Sequence, residues 1–203
     1  METTKKTHWE NVYQTKNPDE VSWTQENPKT SLALIHSFKL NKQARIIDVG
    51  GGDSNLVDHL LKEGYENISV LDISEKALEK AKIRLGAKAS KVSWIVSDVV
   101  DFTPKTTYDV WHDRAAFHFL TSEEQIAQYL KIVSKNVIGY LAMGTFSKNG
   151  PLKCSGLEIT QYAEEDLKDK FKDNFTPLTC FTEDHLTPFD TTQNFLFCSF
   201  EKI

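Results

Sequence analysis

The segment Ile46-Ile47-Asp48-Val49-Gly50-Gly51-Gly52-Asp53-Ser54 constrains the fold most, because an apolar run breaks at three glycines and helical periodicity resumes directly after it. Arg45 to Val49 reads as a strand. Asn55 to Glu63, with Leu56, Val57, Leu60 and Leu61 at helical spacing and Gly64 as its stop, reads as a helix. The unit then repeats. Ile68 to Leu71 is β-like, and Ser74 is a cap for a helix carrying Ala77, Leu78, Ala81 and Leu85, stopped by Gly86. Val92 to Val96 and Tyr108 to Trp111 give a third and a fourth strand. Thr121 with Glu124 predicts a capping box for a helix through Ile126, Tyr129, Leu130 and Val133, and Val137 to Phe146 gives a fifth strand. A helix over Thr30 to Leu40 precedes the first strand.

Strands alternating with helices imply parallel strands joined by right-handed crossovers, hence an α/β, doubly wound sheet with helices on both faces. Ligands of such sheets sit at the carboxyl ends of the strands. The last third differs. After a helix expected over Thr160 to Phe171, Phe175 to Phe181 and Asn194 to Phe200 are β-like runs without a helix-length connection, which predicts an antiparallel hairpin at the sheet edge.

Length and charge narrow the function classes. The chain has 203 residues, 39% hydrophobic, with no composition break, so one domain over 1–203 is expected, divided into an N-terminal segment 1–29 and a core 30–203. Lys and Arg total 24 against 29 Asp and Glu, net −5, and no basic block provides a footprint for nucleic acid. The N-terminus has no apolar core, and no run of 18 or so apolar residues occurs, so the expectation is a cytoplasmic protein without a membrane partner. Cys154, Cys180 and Cys198 form an odd set without CxxC spacing, which predicts reduced thiols and no metal site.

Glycines at the turn leave no Cβ to block a ligand approaching the backbone. A bare glycine-rich connector is the structural alternative. Asp72 ends the second strand roughly twenty residues further on, where an acidic side chain accepts hydrogen bonds from ribose hydroxyls. Asp98 ends the third strand at the same edge, placed to receive the exocyclic amine of an adenine, with Ile73 and Val99 flanking the ring. A dinucleotide fingerprint wants Gly-x-Gly-x-x-Gly, and its third position here is Asn55. Asp48 and Asp53 would also repel a pyrophosphate, whereas they suit a ligand carrying an ammonium and a sulfonium.

Asp48-Val49-Gly50-Gly51-Gly52, Leu71-Asp72-Ile73, Ser97-Asp98-Val99 and Tyr108-Asp109-Val110 resemble successive motifs of the class I S-adenosylmethionine-dependent methyltransferases. The resemblance implies a Rossmann-like sheet of seven strands with the last antiparallel. It implies that Gly50 and Gly52, with Gly51 between them, lie against the methionine part of S-adenosylmethionine, Asp72 on the ribose, and Asp98 with Val99 on the adenine. Trp9-Glu10-Asn11-Val12-Tyr13 and Ser22-Trp23-Thr24-Gln25 are similar to the N-terminal lid of small methyltransferases such as the thiopurine and elongation-factor lysine enzymes. Trp9, Tyr13 and Trp23 are then aromatic groups near the cofactor, against the alternative of plain core packing. Trp111-His112-Asp113-Arg114-Ala115 resembles a stretch after the fourth strand in both groups.

Methyl transfer from a sulfonium needs alignment and exclusion of water, and a base when the nucleophile begins protonated. His112, Asp113 and His118 follow the fourth strand and are the candidate catalytic residues, with Asp113 also a cofactor contact. The structural alternatives are an Asp113–Arg114 ion pair and a core histidine at 118. The leading expectation is a methyltransferase acting on a small molecule, releasing S-adenosylhomocysteine. Methylation of a protein lysine comes second, and a non-catalytic cofactor-binding protein and an NAD-dependent oxidoreductase are weaker readings.

Overall fold

The computed structural model describes residues 2–203, with side chains from residue 5 onward; Met1, the first residue of the expected lid, lies outside them. Five parallel strands form in sequence, β1 (Arg45–Val49), β2 (Asn67–Asp72), β3 (Val92–Val96), β4 (Tyr108–Arg114) and β5 (Val137–Phe146). A two-residue pair, β6 (Lys153–Cys154) and β7 (Leu157–Glu158), lies apart from the main sheet. A long hairpin of β8 (Phe175–Leu186) and β9 (Thr192–Lys202) completes the sheet in the order β3-β2-β1-β4-β5-β9-β8. Among the described residues this main sheet has seven strands, and β9 runs antiparallel to both neighbours, as expected. The hairpin extends beyond the predicted Phe181 and Asn194, because its polar distal arms pair as far as Leu186 and Thr192.

Six α-helices flank the strands: α1 (Glu2–Thr15), α2 (Lys29–Ser37), α3 (Leu56–Lys62), α4 (Glu75–Leu85), α5 (Glu123–Asn136) and α6 (Glu164–Phe171). Alternation along the strands divides the interior into two layers. Ile46, Val110 and Ala142 pack with Leu34 and Ile35 of α2, Leu56 and Leu60 of α3 and Leu78 of α4. Ile47, Trp111 and Leu141 pack with Tyr129 and Val133 of α5 and with Leu167 and Phe171 of α6. Burying one such aliphatic side chain contributes about 1.5–3 kcal/mol, so each stripe fixes its helix to one face.

Three local expectations shift. The capping box of α5 is one residue on, with Ser122 Oγ accepting from the Gln125 N–H and the Gln125 side chain accepting from the N–H of Ser122. The helix expected from Thr160 starts at Glu164, because Thr160 is drawn onto the turn after β4, its N–H donating to the His118 carbonyl at 2.8 Å. Cys180 and Cys198 are joined as a disulfide, contrary to the expected reduced thiols. The two residues are register partners on β8 and β9, a juxtaposition that cysteine spacing does not reveal. Cys154 is free and buried. No helix among the described residues is long and apolar enough to cross a membrane.

Candidate active site

The carboxyl ends of β1, β2, β3 and β4 open into a cavity of about 500 Å³, lined by residues from all four strand ends and roofed by α1. This lies within the usual range for small-molecule sites, about 300–1,000 Å³. Asp48, Gly50, Gly51, Asp72, Ile73, Asp98 and Val99 stand on its wall, with Trp9, Tyr13 and Trp23 from the lid.

The glycine turn leaves no room for side chains. A Cβ on Gly50, whose φ is +65°, would stand 2.6 Å from the Ala116 Cβ, and one on Gly51 would stand 2.6 Å from Asp48 Oδ2. Gly52 lies under the lid, where a Cβ would stand 2.6 Å from the Tyr13 hydroxyl. Backbone is thus held open to the cavity at Gly50 and Gly51.

The acids divide by their partners. Asp72 is buried, its Oδ1 accepting from the Ser74 N–H at 2.8 Å, and burial pushes its carboxyl up to about 7 against that hydrogen bond. Asp48 Oδ1 pairs with His112, while Oδ2 is buried without a partner among the described residues. Asp98 Oδ1 accepts from the Val100 N–H. Asp53 is claimed by Arg84, so the acidity of the cavity falls to Asp48, Asp72 and Asp98.

The lid is built to stay down. Glu10 of α1 accepts from the N–H groups of Glu75 and Lys76, at 2.8 and 3.2 Å, and from the Ser74 hydroxyl, a carboxylate set at the N-terminus of α4 where the helix dipole favours it. Further along, Lys5 donates to the Phe119 carbonyl and His8 meets Ser155. Trp9 packs edge-on to Trp23 and to Phe119, at centroid distances of 5.6 and 5.2 Å. These three rings, with Arg114 and Cys154, enclose one end of the cavity. Burial pushes the Cys154 thiol up to about 12, so it is a neutral wall group. Arg114 Nη1 donates to the Trp23 carbonyl and the guanidinium lies over the Phe195 ring at 4.7 Å, whereas Nε and Nη2 are buried without hydrogen-bond partners among the described residues. Burial lowers its guanidinium to about 10, leaving it charged at neutral pH.

Of the three candidate catalytic residues, only His112 reaches the cavity. Asp113 belongs to the opposite face of β4, where its carboxylate accepts from the Tyr129 hydroxyl at 2.8 Å and from the N–H groups of Ala116 and Phe117. It pins the turn after β4 and forms no ion pair with Arg114. His118 is fully buried, stacked on Phe146 at 4.5 Å, and burial lowers its imidazole to about 3, so it stays neutral. One residue went unread in the sequence: Ser31, whose hydroxyl meets His112 Nε2 at 2.8 Å on the cavity wall. Its signal was a polar residue on the apolar face of α2, in line with Leu34 and Ile35.

Comparison with known proteins agrees with this geometry. Residues 46–137 match a family model described as a methyltransferase domain. The eEF1A lysine and N-terminal methyltransferase of Mus musculus is 27% identical over 124 residues, 59% of this chain and 17% of that protein. Malonyl-[acyl-carrier protein] O-methyltransferase 1 of Ilyobacter polytropus is 31% identical over 98 residues, 48% of this chain and 35% of that protein. The chain thus spans well under half the length of these curated relatives. The N-methyltransferase NodS of Bradyrhizobium japonicum, solved with S-adenosyl-L-homocysteine, superposes with a TM-score of 0.73 at 17% identity, over 95% of this chain and 98% of that one. Residues 46–137 are thus similar to a methyltransferase domain, and the chain shares the fold of the NodS structure.

Proposed function

We propose that this chain transfers a methyl group from S-adenosylmethionine to a small-molecule acceptor within the roofed cavity. The donor set fits that cofactor. Asp48 Oδ2, a buried acceptor without a hydrogen-bond partner among the described residues, suits an ammonium, and Gly50 and Gly51 present bare backbone on the same wall. Asp72 would take the ribose hydroxyls, and Asp98 with Ile73 and Val99 the adenine. When bound, the cofactor supplies a methyl group already activated on a sulfonium. The protein's own work is alignment and the exclusion of water, done by Trp9, Trp23 and Phe119 around the acceptor end.

The observation that carries the small-molecule reading is α1, which crosses over the cavity from α4 to Phe119 and Ser155 and leaves a partly covered pocket of about 500 Å³. Arg114, charged and without an ionic partner among the described residues, favours an acceptor bearing negative charge beside it. Methylation of a protein lysine is the second reading, favoured by the similarity to the mouse eEF1A enzyme. Incubation of purified protein with methyl-labelled S-adenosylmethionine and cell extract separates them. Label is expected among small metabolites; label confined to a protein band overturns the proposal in favour of the lysine reading. Absence of label from every fraction, with S-adenosylhomocysteine still raising thermal stability, would leave a binding protein.

A further inference from the structure

Asp48 and His112 are direct register partners on the neighbouring parallel strands β1 and β4, so their side chains emerge side by side on the same face of the sheet. The α2 helix crosses that face and brings Ser31 against them. The result is a continuous chain, Asp48 Oδ1 to His112 Nδ1 at 2.7 Å and His112 Nε2 to Ser31 Oγ at 2.8 Å, with all three residues on the cavity wall. Each is nearly solvent-free: Ser31 is 1% exposed, Asp48 3% and His112 4%. A carboxylate only accepts, so Nδ1 carries the imidazole proton and Nε2 presents its lone pair to the Ser31 hydroxyl, a tautomer assigned from the hydrogen-bond network. Both ring nitrogens are occupied, and the outlet from the ring to the cavity is Ser31.

Resting on the methyltransferase reading, we infer that Ser31, His112 and Asp48 form a proton relay that takes the acceptor's proton during methyl transfer. As the acceptor's nucleophilic atom bonds to the methyl carbon, the electron pair of the breaking carbon–sulfur bond stays on sulfur. The acceptor's proton passes to Ser31 Oγ while the Ser31 hydroxyl proton passes to His112 Nε2. The imidazolium so formed is held by Asp48, and its proton returns to solvent after product leaves. Ser31 touches the acceptor; His112 acts through it, and Asp48 orients the ring. The other charges nearby are Arg114, two residues along β4 on the same face, Asp113 on the reverse face of the strand, Asp72 at the end of β2, and Glu183 of β8, which accepts from the hydroxyl of Thr30 beside Ser31. The relay serves acceptors that keep a lone pair beside the proton they lose, such as a thiol or an acidic hydroxyl.

Two measurements test it, and one is independent of turnover. Nitrogen-15 spectra of histidine-labelled, cofactor-free protein should show His112 with its proton on Nδ1; a proton on Nε2 in the neutral ring would mean that Ser31 accepts from the ring, which overturns the relay. In the labelled-extract assay, Ser31→Ala should bind S-adenosylhomocysteine within about twofold of the parent, yet transfer label at least tenfold more slowly near neutral pH. That loss should shrink as pH rises and the acceptor sheds its own proton, and Ser31→Thr should restore the rate. A Ser31→Ala variant with the parent's rate and pH profile sinks the relay while leaving methyl transfer intact. Failure of the parent itself to transfer label refutes the functional reading instead. Should Ser31→Ala fail to fold, the tautomer decides alone.

Discussion

Single residues decide how this site handles charge. The Asp72 carboxyl lies raised from 3.8 to about 7, chiefly by burial. The folded protein therefore holds that proton more tightly than the unfolded chain, and this group's contribution to stability falls as pH rises from about 4 to about 7. Ribose hydroxyls donating to the carboxylate reverse the preference. Binding of S-adenosylhomocysteine at pH 6 should release about one proton, seen by calorimetry in buffers of different ionisation enthalpy. Asp72→Asn should abolish the release and weaken binding at least tenfold; unchanged proton release in that variant would exclude Asp72 from the ribose contact. Asp113 is also raised, to about 6, but it is spent on Tyr129 and should not respond to ligand. Local chemistry made much of the cavity wall legible in the sequence, since Gly50, Gly51, Asp72 and Asp98 each announce themselves at the end of a strand. Asp113 and His118 misled because their proximity in sequence to His112 says nothing about which face of β4, or which side of the following turn, receives the side chain.

Among the elements, α1 does most to complete the site. Its Glu10 carboxylate satisfies two free N–H groups at the start of α4, immediately after the strand that carries Asp72. Charge-assisted hydrogen bonds of this kind contribute about 1.5–3 kcal/mol, so Glu10→Ala should weaken S-adenosylhomocysteine binding by roughly tenfold. Hydrogen exchange should quicken along residues 5–15 while the amides of β1 to β5 keep their protection; equal protection of the helix in both proteins would show that Glu10 is no latch. The sequence showed the lid's aromatic residues but not this hold, which joins residues 64–66 positions apart. The Asp48–His112–Ser31 chain was hidden for a similar reason. It depends on the register of β1 against β4 and on the face that α2 turns to the sheet, both set by packing after the chain has collapsed.

At the scale of the whole molecule, the alternation of strands and helices follows from hydrophobic periodicity and the closing hairpin from the missing helix-length connection, which is why the architecture could be read before the site. The exception is the hairpin of β8 and β9, tied by the Cys180–Cys198 disulfide across a sequence separation of 18 residues. By the loop-entropy argument, a cross-link of that span stabilises by about 3 kcal/mol. Reduction, or Cys180→Ser with Cys198→Ser, should lower the melting temperature by roughly 6–12 °C, as followed by circular dichroism. An unchanged melting temperature would show that the cross-link adds nothing to the paired strands. The roof over the cavity has a consequence in time as well as in space. A helix fastened at once to α4, to Phe119 and to Ser155 lies across the cavity mouth. If the proposed transfer takes place under that helix, a viscous solvent should slow turnover, because reactant entry and product exit both require α1 to lift; a rate independent of viscosity would show that α1 does not gate the site.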